Sequence, residues 1–148
     1  MIYLLALLAL VAGALIPVQA AANAALSKSL TGGVVASALT LFAVAGTVAL
    51  AAVAITRTPL PSWNEFRAAP VWSFVGGAIV AIYVLTITFL APRIGVGTAI
   101  AFIVTGQILA ALTIDHFGLM RSLQVPINAS RALGGVLMIV GAFLALRR

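Results

Sequence analysis

Five apolar runs, joined by connections too short to hold a folded domain, leave this chain one environment in which it can fold. They cover approximately residues 2–26, 34–55, 71–90, 95–114 and 132–146. A helix needs about 20 apolar residues to cross the hydrocarbon core of a bilayer. In hydrocarbon only helices and closed barrels satisfy every backbone polar group. The chain has 148 residues, of which 64% are hydrophobic and 7% charged, whereas soluble domains carry about 25% charge. The expected fold is an all-α membrane protein, a single transmembrane domain of five helices with no room for a soluble one.

Two runs admit another reading. In the first, Val18, Gln19 and Ala20 resemble a small-residue cleavage site. The segment before them has no Lys or Arg, and its apolar stretch is too long for a signal peptide, so it is read as a span. The fifth run is near the lower limit for a span. Four crossings would place both termini on one side; five are expected, because the run is apolar throughout.

The basic residues are scattered singly at the ends of these runs, where their heads reach the lipid headgroups. The formal charge of +6 therefore reads as membrane anchoring and not as a nucleic-acid surface. With five crossings, Arg57, Arg67, Arg121 and Arg131 fall on the side of the N-terminus. Lys28, Arg93, Arg147 and Arg148 fall on the other, 4 against 4. Lys and Arg bias sets the orientation of a membrane protein. A tie predicts insertion both ways and pairing with an inverted copy, giving an antiparallel ten-helix homodimer.

Small residues fall on one stripe of each of the first two helices: Ala6, Gly13, Pro17, Ala20, Ala24 and Ser27, then Gly33, Ser37, Thr40, Thr47, Ala51 and Ala54. Such stripes read as helix packing, since small residues let backbones approach in lipid, with a pore lining as the other reading. Pro59 and Pro61 are expected to stop the second helix. Ser62 and Glu65 match a capping box, which predicts a short interfacial helix over about 62–69, with Trp63 and Trp72 at headgroup level. Pro92 and Arg93 are expected to end the third run.

Polar side chains at membrane depth are few. Gln19 and Asn23 lie four apart and share a helix face, beside a kink expected at Pro17. The pair suits either a polar solute or an interhelical hydrogen bond. Tyr83 sits near mid-span with Thr86 three residues on, and either stacks on a solute or satisfies its hydroxyl on a neighbouring helix. On the fourth helix Thr105 and Gln107 point to opposite sides. The threonines are expected to bond their own backbone. Asp115 and His116 close that helix as the one adjacent titratable pair. They read either as a proton-sensing or gating pair linked to Arg121 or Arg131, or as a structural cluster tying the long loop to the helix end.

No Asp or Glu stands at mid-helix, which argues against proton–cation antiport through a buried acid. Cysteine is absent, and one His with two acids cannot build an ordinary metal site. No cofactor is expected, and no catalytic constellation or phosphate-binding loop is present.

The ordered set Pro17, Val18, Gln19, Asn23, Leu26, Trp72, Gly76, Gly77, Tyr83, Val84, Ala91, Pro92, Arg93, Gly95, Gly106 and Gln107 resembles the small YdcZ-like inner-membrane proteins of the drug/metabolite transporter superfamily. So does the run Asp115, His116, Phe117, Gly118, followed by Arg131, Gly134 and Gly141. The resemblance implies a multi-pass inner-membrane protein with five helices per chain and an inverted pairing, by dual topology or with an oppositely oriented partner chain. Its superfamily moves small metabolites and drugs. Combined with the inverted-repeat principle, the expectation is a transporter of a small polar or drug-like solute working by alternating access. Gln19, Asn23, Tyr83 and Gln107 would contact the solute, and Asp115, His116 and Arg131 would form a gate. A channel-like pore and a non-transporting assembly protein are the other classes this pattern permits.

Overall fold

A computed structural model describes residues 1–144, apart from the side chain of Arg121. Arg147, Arg148 and the end of the fifth apolar run lie outside the described residues. Helices dominate, and there is no strand among the described residues. In chain order they are α1 (Ile2–Ser29), α2 (Gly33–Thr56), α3 (Trp63–Ala68), α4 (Val75–Ile94), α5 (Val96–Phe117) and α6 (Ala129–Leu144). Single 3₁₀ turns occupy Val71–Phe74 and Leu119–Arg121. Four helical segments are long and apolar enough to cross a membrane: α1, α2, α4 with the turn before it, and α5. α6 is apolar but has 16 described residues, about 24 Å of helix.

The chain forms two compact units, Met1–Pro92 and a second beginning at Arg93. In the first, α1 and α2 make a hairpin. Its turn is set by glycine: Gly33 has φ +56, and a Cβ on Gly32 would lie 2.7 Å from that of Ala36. Next to this turn the small-residue stripes meet. Ala20, Asn23 and Ala24 of α1 are buried, as are Ser37 and Ala38 of α2. The Ser37 hydroxyl donates to the Asn23 carbonyl at 2.9 Å, locking the register of the hairpin. Away from the turn the stripes are uncovered: Ala6, Gly13, Thr47, Ala51 and Ala54 are exposed.

α2 ends two residues before the first proline, at Arg57, which adopts the left-handed conformation with φ 52. α3 starts on the expected capping box. The Ser62 amide donates to Glu65 Oε2 at 2.6 Å, and the Glu65 amide donates to Ser62 Oγ at 3.4 Å. The Ser62 amide, and then its hydroxyl, which also donates to Oε2 at 2.8 Å, hold the Glu65 carboxyl below its usual value near 4.5. Arg67 lies over the ring of Trp63, 5.4 Å from its centroid, and both tryptophans are exposed.

α4 departs from expectation at its end. Pro92 lies inside the helix, which runs on to Ile94. A proline in the last turn removes only one donor, the one the Thr88 carbonyl would use. The chain then turns at Gly95, with φ +86. Val84, Ile87, Thr88 and Ala91, at spacings of three and four, form its buried stripe.

In the second unit α5 stops at Gly118, whose φ of +60 is the left-handed helix ending that glycine favours. Asn128 caps α6, its Oδ1 accepting from the Arg131 amide at 2.9 Å. The two helices run antiparallel. Gly135 of α6 opposes Leu109 and Leu112, while Phe143 meets Phe102 edge to face at 6.3 Å between centroids.

Candidate functional site

Among the grooves along the described helices, three differ in what their polar groups are doing. Between α5 and α6 a groove of about 390 Å³ is lined by Gly97, Ile100, Ala101, Val104, Thr105 and residues of α6. Its hydroxyl is already used, since Thr105 donates to the Ala101 carbonyl at 2.7 Å. A second groove, between α2 and α4, is lined by Val34, Val35, Leu85, Thr86, Phe89 and Leu90. The third lies between α1 and α2, about 390 Å³, lined by Gln19, Asn23, Leu26, Thr40, Leu41, Val44 and Ala45.

This third groove gathers the carboxamide pair that the four-residue spacing placed on one face. Gln19 is half-buried, and Asn23 is only 7% exposed. The Asn23 amide nitrogen is buried with no hydrogen-bond partner among the described residues. Thr40 is satisfied on its own helix, donating to the Ala36 carbonyl at 2.9 Å. Thus the groove has apolar walls, no charged group in its lining, and a lining residue, Asn23, whose amide nitrogen is covered and unpaired among the described residues. Pro17 stands one half-turn before the pair. α1 continues through it, but the proline leaves the Gly13 carbonyl without its helical donor. Along the axis Asn23 lies roughly 11 Å from the middle of α1, toward its C-terminal end.

Tyr83 is half-buried on α4 and Gln107 exposed on α5; neither is among the lining residues of this groove. Thr105 and Gln107 do face differently, one into the α5–α6 groove and one outward.

The second constellation closes α5. Asp115 Oδ2 accepts from Arg131 Nη2 at 2.6 Å, in a half-buried ion pair. The other Arg131 nitrogen, Nη1, donates to the Val125 carbonyl at 2.8 Å, and the Val125 amide donates back to the Asp115 carbonyl at 2.8 Å. His116 works through both of its acceptors. Its Nδ1 takes the Ile127 amide at 3.1 Å and its carbonyl takes Gln124 Nε2 at 3.2 Å. An imidazole that accepts at Nδ1 presents its N–H at Nε2. Of the two arginines the sequence offered to Asp115, Arg131 is the one described in contact with it; the Arg121 side chain lies outside the described residues. The cluster fastens residues 119–128 to the end of α5 and the start of α6.

Two residues here escaped the sequence reading. Ser37 looked like one more small residue of a stripe, yet it is the hydrogen-bonded clasp of the hairpin. Thr88 is 0% exposed, and its hydroxyl has no partner among the described residues. Thr40, Thr47, Thr56, Thr105 and Thr113 all bond the carbonyl four residues earlier. The available signal was Pro92, which strips the Thr88 carbonyl of its donor.

A family model described as "Putative inner membrane exporter, YdcZ" matches residues 4–144. No curated protein and no solved structure matches the chain.

Proposed function

Because the chain belongs to this family of inner-membrane exporters and is a multi-pass inner-membrane protein, we propose that it transports a small polar or drug-like solute by alternating access. It does so as an antiparallel pair of identical chains inserted in both orientations, each with five crossings. The observation that carries the transport reading is the α1–α2 groove, where a buried carboxamide nitrogen stays unpaired. A polar group left unpaired at membrane depth is costly and is offset when a solute supplies the partner. Gln19 and Asn23 make the first polar contacts, with Tyr83 and Gln107 as further contacts along the path and Pro17 softening α1 beside them. Asp115, His116 and Arg131 act as a gate at the boundary, since their bonds fix the connection between α5 and α6.

Pairing is supported by the balanced basic residues and by the apolar faces that α1 and α2 leave uncovered away from their turn. In an inverted pair the two grooves point toward opposite faces of the membrane. Exchange between two symmetry-related states then gives alternating access.

The test is counterflow in proteoliposomes with a broad panel of radiolabelled metabolites and drugs. A carrier gives saturable uptake that is accelerated by unlabelled solute inside, and Gln19→Leu lowers it at least tenfold. Flux without counterflow would make the protein a channel. No flux for any solute would favour an assembly role.

A further inference from the structure

We propose that the α1–α2 groove binds uncharged amphipathic molecules whose hydrogen-bond acceptor is held by the Asn23 amide nitrogen. This rests on the reading of the groove as the solute site and adds the chemical class of its occupant.

Three features select that class. The unpaired group is a covered donor, so the partner it takes when the carboxamide turns into the groove is an acceptor such as a carbonyl, an ether or a hydroxyl oxygen. Second, the lining contains Gln19, Asn23, Leu26, Thr40, Leu41, Val44 and Ala45, with no ionisable side chain. An ion taken from water into such a site loses its hydration and finds no counter-charge. Third, the walls other than the carboxamides and the satisfied Thr40 are apolar, and a groove of about 390 Å³ is of the size that takes a small ring system. An apolar body lies against Leu26, Leu41, Val44 and Ala45, and its acceptor meets the Asn23 amide nitrogen when the carboxamide turns out of its covered position into the groove.

The hairpin geometry explains why Asn23 is held ready. Its backbone carbonyl receives the Ser37 hydroxyl, so the residue is clamped while its side-chain nitrogen stays unpaired. Gln19, one turn away and half-buried, is available to a second polar atom of the same solute.

The experiment uses the full chain in nanodiscs and three probes that share a naphthalene ring. One carries an N,N-dimethylcarboxamide, which accepts but cannot donate. The others carry a trimethylammonium or a carboxylate. Equilibrium dialysis, corrected with empty nanodiscs, measures saturable binding. The amide is expected to bind at least tenfold more tightly than either ion, and Asn23→Leu to weaken it at least tenfold. Thermal unfolding without probe serves as a second readout. If the nitrogen is unpaired, Asn23→Leu leaves Tm unchanged or raises it, because it removes an unsatisfied buried group. A fall in Tm would show that Asn23 already has a partner, such as the inverted copy, and would overturn the proposal. So would preference for either ion, amide binding indifferent to Asn23→Leu, or no saturable binding by any probe. Flux and binding fail separately. Amide binding that needs Asn23 in a protein without counterflow keeps this site and removes the carrier; counterflow of ions alone does the reverse.

Discussion

A threonine that bonds to nothing says as much about a membrane helix as one that does. Thr88 sits in the buried stripe of α4 with its hydroxyl unpaired among the described residues, while five other threonines close on their own backbones. Thr88→Val keeps the shape and removes the unsatisfied group. Stability in detergent should stay level or rise by up to about 2 kcal/mol; a loss would mean the hydroxyl has a partner. Glu65 is the opposite case, an exposed carboxylate held low by the Ser62 amide and hydroxyl. A lowered carboxyl contributes stability that is complete above its unfolded value and fades as pH falls through the folded one. Protection of the Glu65 amide, the slowing of its exchange relative to that of the unfolded chain at the same pH, should therefore be highest at neutral pH and fall below about 4.5. Ser62→Ala should weaken that pH dependence without abolishing it, because the backbone amide at position 62, the larger cause, still donates to the Glu65 carboxylate.

At the scale of elements, close approach decides what each helix pair tolerates. A Cβ on Gly135 would meet Leu112 at 3.3 Å, whereas one on Gly134 meets nothing within 4 Å. Gly134→Leu should be accepted, and Gly135→Leu should loosen α5 from α6 at a cost of about 1–3 kcal/mol in thermal unfolding. The connection between these helices is held by acceptors on His116. Replacing the imidazole by a phenyl ring, His116→Phe, leaves the Ile127 amide without a partner, and its exchange should rise at least tenfold. His116→Asn keeps an acceptor close to where Nδ1 stands and should restore much of the protection. Equal exchange in both variants would remove His116 from the latch.

For the whole molecule the balance of charge depends on α6. If α6 crosses the membrane, Arg147 and Arg148 lie with Lys28 and Arg93, opposite Arg57, Arg67, Arg121 and Arg131. If it does not, they join that second group and the tie becomes a strong bias. Compartment-specific reporters on the C-terminus separate the cases. Both a cytoplasmic and an external reporter should give signal, and three lysines added to one side should abolish one of them. Signal from a single side alone would replace the identical partner by an oppositely oriented one.

The membrane class, the run boundaries within a few residues, the capping box and the shared face of Gln19 and Asn23 were legible because each depends on local hydropathy, spacing or capping chemistry. Misread was the end of α4, where a proline in the last turn costs the helix little; what the stripes on α1 and α2 could not tell was that they meet only beside the turn. Sequence alone determined that this chain lives in a bilayer as helices with the basic residues at their ends, because no other structure hides so much apolar surface and satisfies its backbone. Only the tertiary structure decided which polar groups are spent and which are free. Ser37 and Asp115 are tied to partners 14 and 16 residues away, and the Asn23 nitrogen is left without one, because hydrogen bonding at that range follows from how the helices fold back and not from their spacing along the chain.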